Sequence, residues 1–155
     1  MATVAVGKKI PAFEGEATGG VTISSRQLKG EKYVLYFYPR DNTPGCTIES
    51  KDFRDLHDKF RRRKVRVIGI SRDTLKSHEK FKEKFDFPFE LIADPDEAIC
   101  NRFGVMKDKN MYGKKVRGIE RSTFLVDENG VLLREWRKVK VDGHASEVLD
   151  SLKEF

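Results

Sequence analysis

Cysteine is scarce in this chain: among 155 residues there are only two, Cys46 and Cys100, which lie 54 positions apart. Two distant thiols cannot form the disulfide framework of a small secreted domain, so we expect a reducing compartment and take the cytoplasm as the default. The N-terminal stretch 1–6 has neither the basic start nor the apolar run of a signal peptide. Long apolar segments are also missing, so no contact with a membrane is expected.

Histidine is nearly as rare, and its three positions, His57, His78 and His144, lack the spacing of metal ligands. We expect no metal and no catalytic histidine. The net charge of +6 raises nucleic-acid binding as an alternative function. Of its two densest basic runs, 61–64 falls at a helix C-terminus, where cations complement the helix dipole, and 107–117 is expected to be a mobile loop. We therefore expect no nucleic-acid partner.

The chain does contain strand patterns that alternate with helix patterns. In order, we expect a hairpin-like arm (15–23), a helical turn (24–28), a strand (33–38), a helix (46–62), a strand (65–71), a helix (74–85), a short helix after Asp94, a hairpin (122–126 and 131–136) and a final helix with Ala145, Val148, Leu149 and Leu152 on one face. This order predicts an α/β, thioredoxin-like fold: a central mixed β-sheet flanked by helices, with an N-terminal β-hairpin extension. Without a linker or repeat, residues 1–155 are expected to form a single domain.

The short helix has clear start signals. Asp94 is predicted as its N-cap, Pro95 as its first residue and Glu97 as the capping-box residue. Cys100 would lie on this helix, where a cysteine usually behaves as a small buried hydrophobic residue.

Cys46 stands where a strand passes into a helix. The buried run YVLYFY ends at Pro39, and Thr43-Pro44-Gly45-Cys46 has the turn chemistry that precedes a first helical turn. Unpaired backbone amides and the positive end of the helix dipole stabilise a thiolate there, and the thiolate is the nucleophilic form. We therefore expect Cys46 to be reactive.

The stretch from Pro39 to Cys46 reads P-x-x-x-T-x-x-C, and this pattern resembles the peroxiredoxins. Its continuation PGCT-x-E (44–49) is most similar to the peroxiredoxin Q or bacterioferritin comigratory protein branch of the AhpC/TSA family. The segments SRD (71–73), DP (94–95), FGV (103–105) and ERSTF (120–124) follow in the order of that branch. The resemblance covers nearly the whole chain, from Val6 to the C-terminus.

This resemblance implies a thioredoxin-dependent peroxiredoxin that reduces hydrogen peroxide and organic hydroperoxides through a sulfenic acid on Cys46, in antioxidant defence and redox homeostasis. Thr43 would supply a hydroxyl to the peroxide, the amides of Gly45 and Cys46 would donate to it, Arg121 would hold the thiolate and the peroxide oxygens, and Pro39 would shield the sulfur. No cofactor is implied, and this branch is often monomeric. Thioredoxin, glutaredoxin or glutathione would be the reductant.

The chain departs from the branch in its second cysteine. Many members carry a resolving cysteine five residues after the first, where this chain has Lys51, and others carry it in the segment 75–85, which has none. Only Cys100 remains as a doubtful resolving thiol. If it never meets Cys46, an external thiol must reduce the sulfenic acid through a mixed disulfide. Thioredoxin's own C-x-x-C chemistry is excluded, because Thr43 occupies its first position.

Overall fold

The computed structural model describes residues 4–155; residues 1–3, in the stretch where no signal peptide is expected, lie outside it. Its strands are β1 (Glu14–Ala17), β2 (Val21–Ser24), β3 (Lys32–Phe37), β4 (Val65–Ser71), β5 (Glu90–Ala93), β6 (Met106–Met111), β7 (Lys114–Ile119), β8 (Ser122–Val126) and β9 (Leu132–Trp136). Its helices are α1 (Pro44–Asp55), α2 (His57–Arg62), α3 (Leu75–Phe85), α4 (Ala98–Arg102) and α5 (His144–Ser151), with 3-10 turns at Thr18–Gly20 and Leu152–Glu154.

Seven strands form one mixed sheet in the order β2-β1-β5-β4-β3-β8-β9. β3 pairs in parallel with β4 and antiparallel with β8, so it lies inside the sheet and its residues from Tyr33 onward are buried. Helices cover both faces, which is why β3 and β4 are continuous apolar runs rather than alternating ones. This central mixed sheet flanked by helices confirms the expected thioredoxin-like α/β fold.

The sheet separates two hydrophobic cores. Successive side chains of a strand point to opposite faces, so Leu35 and Phe37 pack into one core while Val34 and Tyr36 pack into the other. The first core contains residues of β1, α4 and β8, and the second contains residues of α1, α2, α3 and α5. The two faces of β3 therefore pack against different helices.

Several boundaries differ from the sequence predictions. The helix expected over 46–62 is two helices that break at Leu56. The helical turn expected over 24–28 is present as a single turn, in which the Leu28 amide donates to the Ser24 carbonyl at 3.2 Å. Strand β5 was not predicted, because its four residues are too few to show a period.

The prediction for the short helix was wrong in its start. α4 begins at Ala98, and Glu97 at its N-cap has a left-handed backbone with φ of 64°. Asp94 lies outside the helix but reaches over it: its carboxylate accepts hydrogen bonds from the amides of Ile99 (3.1 Å) and Cys100 (2.7 Å). Asp94 thus accepts from the free amides at the start of α4, although it lies further before the helix than an N-cap residue does.

The mobile loop predicted for 107–117 was also wrong. This segment belongs to the antiparallel hairpin of β6 and β7, which turns at Tyr112 and Gly113, both with positive φ. In β7, three of the four exposed residues are Lys114, Lys115 and Arg117, so the apolar alternation that marks a strand is missing. In the part of the chain from residue 4 onward, no helix has the length and apolar character needed to cross a membrane.

Candidate active site

Cys46 lies in the first turn of α1, as its third residue after Pro44 and Gly45. Thr43 precedes the helix in an extended conformation, and its carbonyl accepts the hydrogen bond from the Thr47 amide at 2.8 Å. The amides of the first turn have no intrahelical acceptor, and the Thr43 side chain does not cap them. They remain donors near the sulfur, which is 1% exposed.

Arg121 joins the sulfur to a buried carboxylate. It stands just before β8, and its guanidinium donates from Nη2 to Cys46 Sγ (3.4 Å) and from Nη1 to Glu49 Oε1 (2.6 Å). Glu49 lies one helical turn after Cys46, and its side chain is fully buried. The rigid fork of arginine suits this double contact, because its donors have a fixed geometry.

The charges of this group are coupled. Burial raises the pKa of Glu49 to about 7, against the lowering effect of Arg121. Burial by itself lowers the pKa of Arg121, but Glu49 and Cys46 together outweigh it and raise that pKa. Arg121 therefore stays a cation beside the sulfur. Glu49 Oε2 has no hydrogen-bond partner among the described residues, so this carboxylate is held by one oxygen only.

Gly45 is required by the position of Arg121. A Cβ atom at residue 45 would lie 3.3 Å from Arg121 Nη2, tighter than ordinary van der Waals contact. The absence of a side chain lets the guanidinium pass close over the start of α1. Sequence reasoning assigned Gly45 only a turn and an amide, because it could not show this contact.

Thr43 and Pro39 border the site on the segment that leads into α1. Thr43 Oγ1 donates to the carbonyl of Arg40 at 2.9 Å, and among the described residues the hydrogen bond to Cys46 Sγ comes from Arg121. Pro39 is half-buried just after β3. The structure thus brings Cys46, Arg121 and the Thr43 backbone together, and it places Pro39 at the other end of the same short segment.

Glu49 was not among the predicted site residues. The sequence did mark Glu49 as unusual. It shares the helical spacing of Phe53 and Phe60, so it is a charged residue on a face that is otherwise apolar. A charged residue on a buried face needs a partner. The partner, Arg121, is 72 positions away, and spacing alone could not reveal it.

Cys100 lies on the other side of the sheet. Cys46 packs in the core with Val34 and Tyr36, whereas Cys100 packs in the core with Leu35 and Phe37. Cys100 is fully buried, and burial followed by the nearby Asp94 carboxylate raises the pKa of its thiol. The sheet therefore stands between the two sulfurs, and Cys100 is held as an un-ionised thiol.

Comparisons with known proteins show the family to which the chain belongs. The model of the AhpC/TSA family matches residues 6–134, so the chain belongs to that family. Peroxiredoxin Bcp of Bacillus subtilis is 47% identical over 153 residues, covering 99% of this chain and 98% of its own. Peroxiredoxin Bcp of Xanthomonas campestris is 51% identical over 136 residues, covering 88% and 85%.

A solved structure points to the same branch. The bacterioferritin comigratory protein of Xanthomonas campestris, described for its alkyl peroxide reduction activity, superposes with a TM-score of 0.88 at 48% identity, covering 92% of this chain and 90% of its own. Within the family, this chain is a member of the peroxiredoxin Q or bacterioferritin comigratory protein branch. It is an enzyme, a thiol peroxidase.

Proposed function

We propose that Cys46 is the peroxidatic nucleophile and that the enzyme reduces hydrogen peroxide and organic hydroperoxides. The observation that carries this proposal is the Arg121 guanidinium, which contacts the Cys46 sulfur and the buried Glu49 at once. A cation in that position stabilises the thiolate and the charge that develops on a departing oxygen. The alkyl peroxide activity described for the Xanthomonas relative supports the organic substrates.

The reaction begins when the Cys46 thiolate attacks the terminal oxygen of the peroxide. An S–O bond forms as the O–O bond breaks, and the bonding electrons pass to the departing oxygen, which takes a proton and leaves as water or an alcohol. The sulfur is oxidised to a sulfenic acid. Because Thr43 Oγ1 commits its own proton to Arg40, its lone pairs are available to accept the peroxide proton. Pro39 shields the sulfur from water.

An external thiol then restores Cys46. Its sulfur attacks the sulfenic acid, water leaves, and a mixed disulfide forms; a second thiol releases Cys46 as a thiol. The position of Cys100 beyond the sheet supports this one-cysteine route. Since Cys46 is 1% exposed, the start of α1 must unwind before a partner can reach it. Glutathione, glutaredoxin or thioredoxin would be the donor.

The proposal treats residues 1–155 as one peroxiredoxin domain, active as a monomer in the cytoplasm in antioxidant defence and redox homeostasis. The seven-stranded sheet supports a single domain, because it takes its strands from Glu14 through Trp136. Neither a cofactor nor a metal has a role in this chemistry, since the sulfur itself carries the change in oxidation state.

Mass spectrometry tests the proposal after one equivalent of hydrogen peroxide, with and without a sulfenic-acid trap. Wild type and Cys100→Ser should each gain one trappable oxygen at Cys46, and Cys46→Ser should gain none. A loss of two hydrogens through a Cys46–Cys100 linkage would replace the one-cysteine route with a two-cysteine route. An unreactive Cys46 would refute the assignment of the nucleophile.

A further inference from the structure

His78 is a buried histidine whose two ring nitrogens both face acceptors. It lies on α3, with Nδ1 at 2.7 Å from Asp41 Oδ2 and Nε2 at 2.9 Å from the carbonyl of Ile92, and its side chain is fully buried. The sequence placed His78 on a mostly polar helix and gave it no role. The structure instead puts it between that helix and the segment that leads to Cys46.

Asp41 is the residue of that segment that α3 holds most firmly. Its carboxylate accepts from His78, from Ser77 Oγ (2.8 Å) and from Tyr38 Oη (2.6 Å), and its amide donates to Asp73 Oδ2 (2.8 Å). Asp41, Asp73 and His78 each have one atom that could bind a metal ion, and these atoms lie within 4.8 Å of one another. Because hydrogen bonds already occupy them, we treat the cluster as a hydrogen-bonded network.

Both ring nitrogens of His78 meet oxygen atoms. A backbone carbonyl only accepts, so Nε2 donates to Ile92, while Nδ1 is in hydrogen-bond contact with the Asp41 carboxyl group and lies 3.5 Å from Tyr38 Oη. The His78–Asp41 contact is shielded from water. A buried polar group that loses its partner is costly, so this bond resists opening more than an exposed one does. α3 also contacts this segment through Ser77, which donates to Asp41, and through Lys84, whose contact with Asn42 at 3.1 Å is exposed and correspondingly weak.

We propose that His78 is a positioning residue: through Asp41 it holds the segment 39–45 closed over Cys46, and this contact must open before an external thiol can reduce the sulfenic acid. The inference rests on the proposed function above, in which Cys46 reacts with peroxide and an external thiol regenerates it. His78 touches neither the sulfur nor the substrate. It sets the fraction of molecules in which the start of α1 is unwound.

Two substitutions at position 78 separate the two contacts of the ring. His78→Asn keeps a donor near the place of Nδ1, so it retains the bond to Asp41 and gives up the bond to Ile92. His78→Gln keeps a donor near the place of Nε2, so it retains Ile92 and releases Asp41. Both variants remove the ring, which makes each a matched control for the other.

The experiment measures three quantities in wild type and both variants. Hydrogen exchange of the Thr47 amide reports unwinding, because that amide bonds to the Thr43 carbonyl. Stopped-flow measurements follow the reaction of Cys46 with hydrogen peroxide and, separately, the reduction of preformed sulfenic acid by excess glutathione. In His78→Gln we expect exchange and the glutathione step to accelerate by about tenfold or more, since a hydrogen bond to a charged group is lost. The closed form still predominates, so the peroxide step should change less than twofold.

His78→Asn should stay close to wild type in exchange and in the glutathione step. Equal changes in the two variants, or an unchanged glutathione step in His78→Gln, would overturn the proposal, because a purely structural role affects both variants through global stability. If His78→Gln does not fold, Ser77→Ala decides, with faster Thr47 exchange expected and unchanged exchange contradicting the proposal. Failure of wild-type Cys46 to form a sulfenic acid would instead refute the proposed function.

Discussion

At the scale of single residues, the site depends on a few short contacts around Arg121. The guanidinium is fixed by Glu49 on one side, lies near the sulfur on the other, and passes above Gly45. Each contact involves a different property: a buried charge, a nucleophile and the absence of a side chain. Substitutions at these positions should therefore have different effects on stability and on activity.

Glu49→Gln should change how stability depends on pH. Because burial raises the pKa of Glu49 from 4.5 to about 7, the folded protein binds a proton there that the unfolded chain releases. The resulting stability is complete below pH 4.5 and is lost as pH rises through about 7, a difference of roughly 3 kcal/mol. Chemical denaturation at several pH values should show this decline in wild type and not in Glu49→Gln. The exposed control Glu16→Gln should keep the wild-type decline; an unchanged decline in Glu49→Gln would contradict the prediction.

Gly45→Ala should reduce activity without reducing stability. Alanine favours a helix over glycine by about 1 kcal/mol in helix interiors, so α1 should not be weakened. Its Cβ would push against Arg121 Nη2 at 3.3 Å and displace the guanidinium from the sulfur. We expect the second-order rate constant with hydrogen peroxide to fall about tenfold, as for a misplaced electrostatic group. In Gly118→Ala, where the nearest atom lies 4.0 Å away on the β6–β7 hairpin, the rate should be unchanged.

At the scale of elements, the sequence predicted the long buried strands better than the short or highly charged ones. The predicted strand 65–71 coincides with β4, and 33–38 is β3 shifted by one residue, because central strands are buried on both faces and show as apolar runs. The β6–β7 hairpin escaped prediction because half of its strand residues are charged, which removes the apolar alternation of a strand. The start of α4 was misplaced because Asp94 caps it across a left-handed Glu97, a conformation that no sequence pattern announces.

Asp94→Ala tests the unusual start of α4. Two buried amides, those of Ile99 and Cys100, would lose their acceptor. We expect a loss of about 2 kcal/mol in the free energy of unfolding, as for a removed helix cap that leaves buried donors unpaired. Urea denaturation measures this loss. Asp96→Ala is the matched control, because its contact with the Ala98 amide is exposed, and a loss as large as that in Asp94→Ala would argue against the special role of Asp94.

The sequence also predicted the candidate site only in part. The sequence identified Cys46 and Arg121 as candidates, since a local motif and a family pattern mark them. It could not identify the contacts of Glu49, Gly45 and His78, which join segments distant in the chain. Those contacts depend on how β3, α1, α3 and β8 pack, and no spacing along the chain encodes that packing.

At the scale of the whole molecule, the single tryptophan is placed to report on the site. The Trp136 ring packs edge-on against His144 at 5.8 Å, and His144 packs against Phe53 of α1 at 6.2 Å. If oxidation of Cys46 unwinds the start of α1, this stack should shift and the fluorescence of Trp136 should change. One equivalent of hydrogen peroxide should therefore produce a signal in wild type and in Cys100→Ser. A signal of the same size in Cys46→Ser would show that the fluorescence reports something else.

The position of the sheet between the two cysteines affects how long Cys46 would stay oxidised. An enzyme with an internal partner thiol closes its own disulfide at a rate that the fold sets. In the proposed one-cysteine route, Cys100 lies on the far side of the sheet and cannot reach Cys46, so thiol supply and peroxide flux would set the lifetime of the oxidised sulfur. When thiols run short, each further peroxide drives the same sulfur toward the sulfinic state, which ordinary thiols do not reverse. The fraction of molecules in the sulfinic state would then increase with every period in which peroxide oxidises Cys46 faster than thiols reduce it.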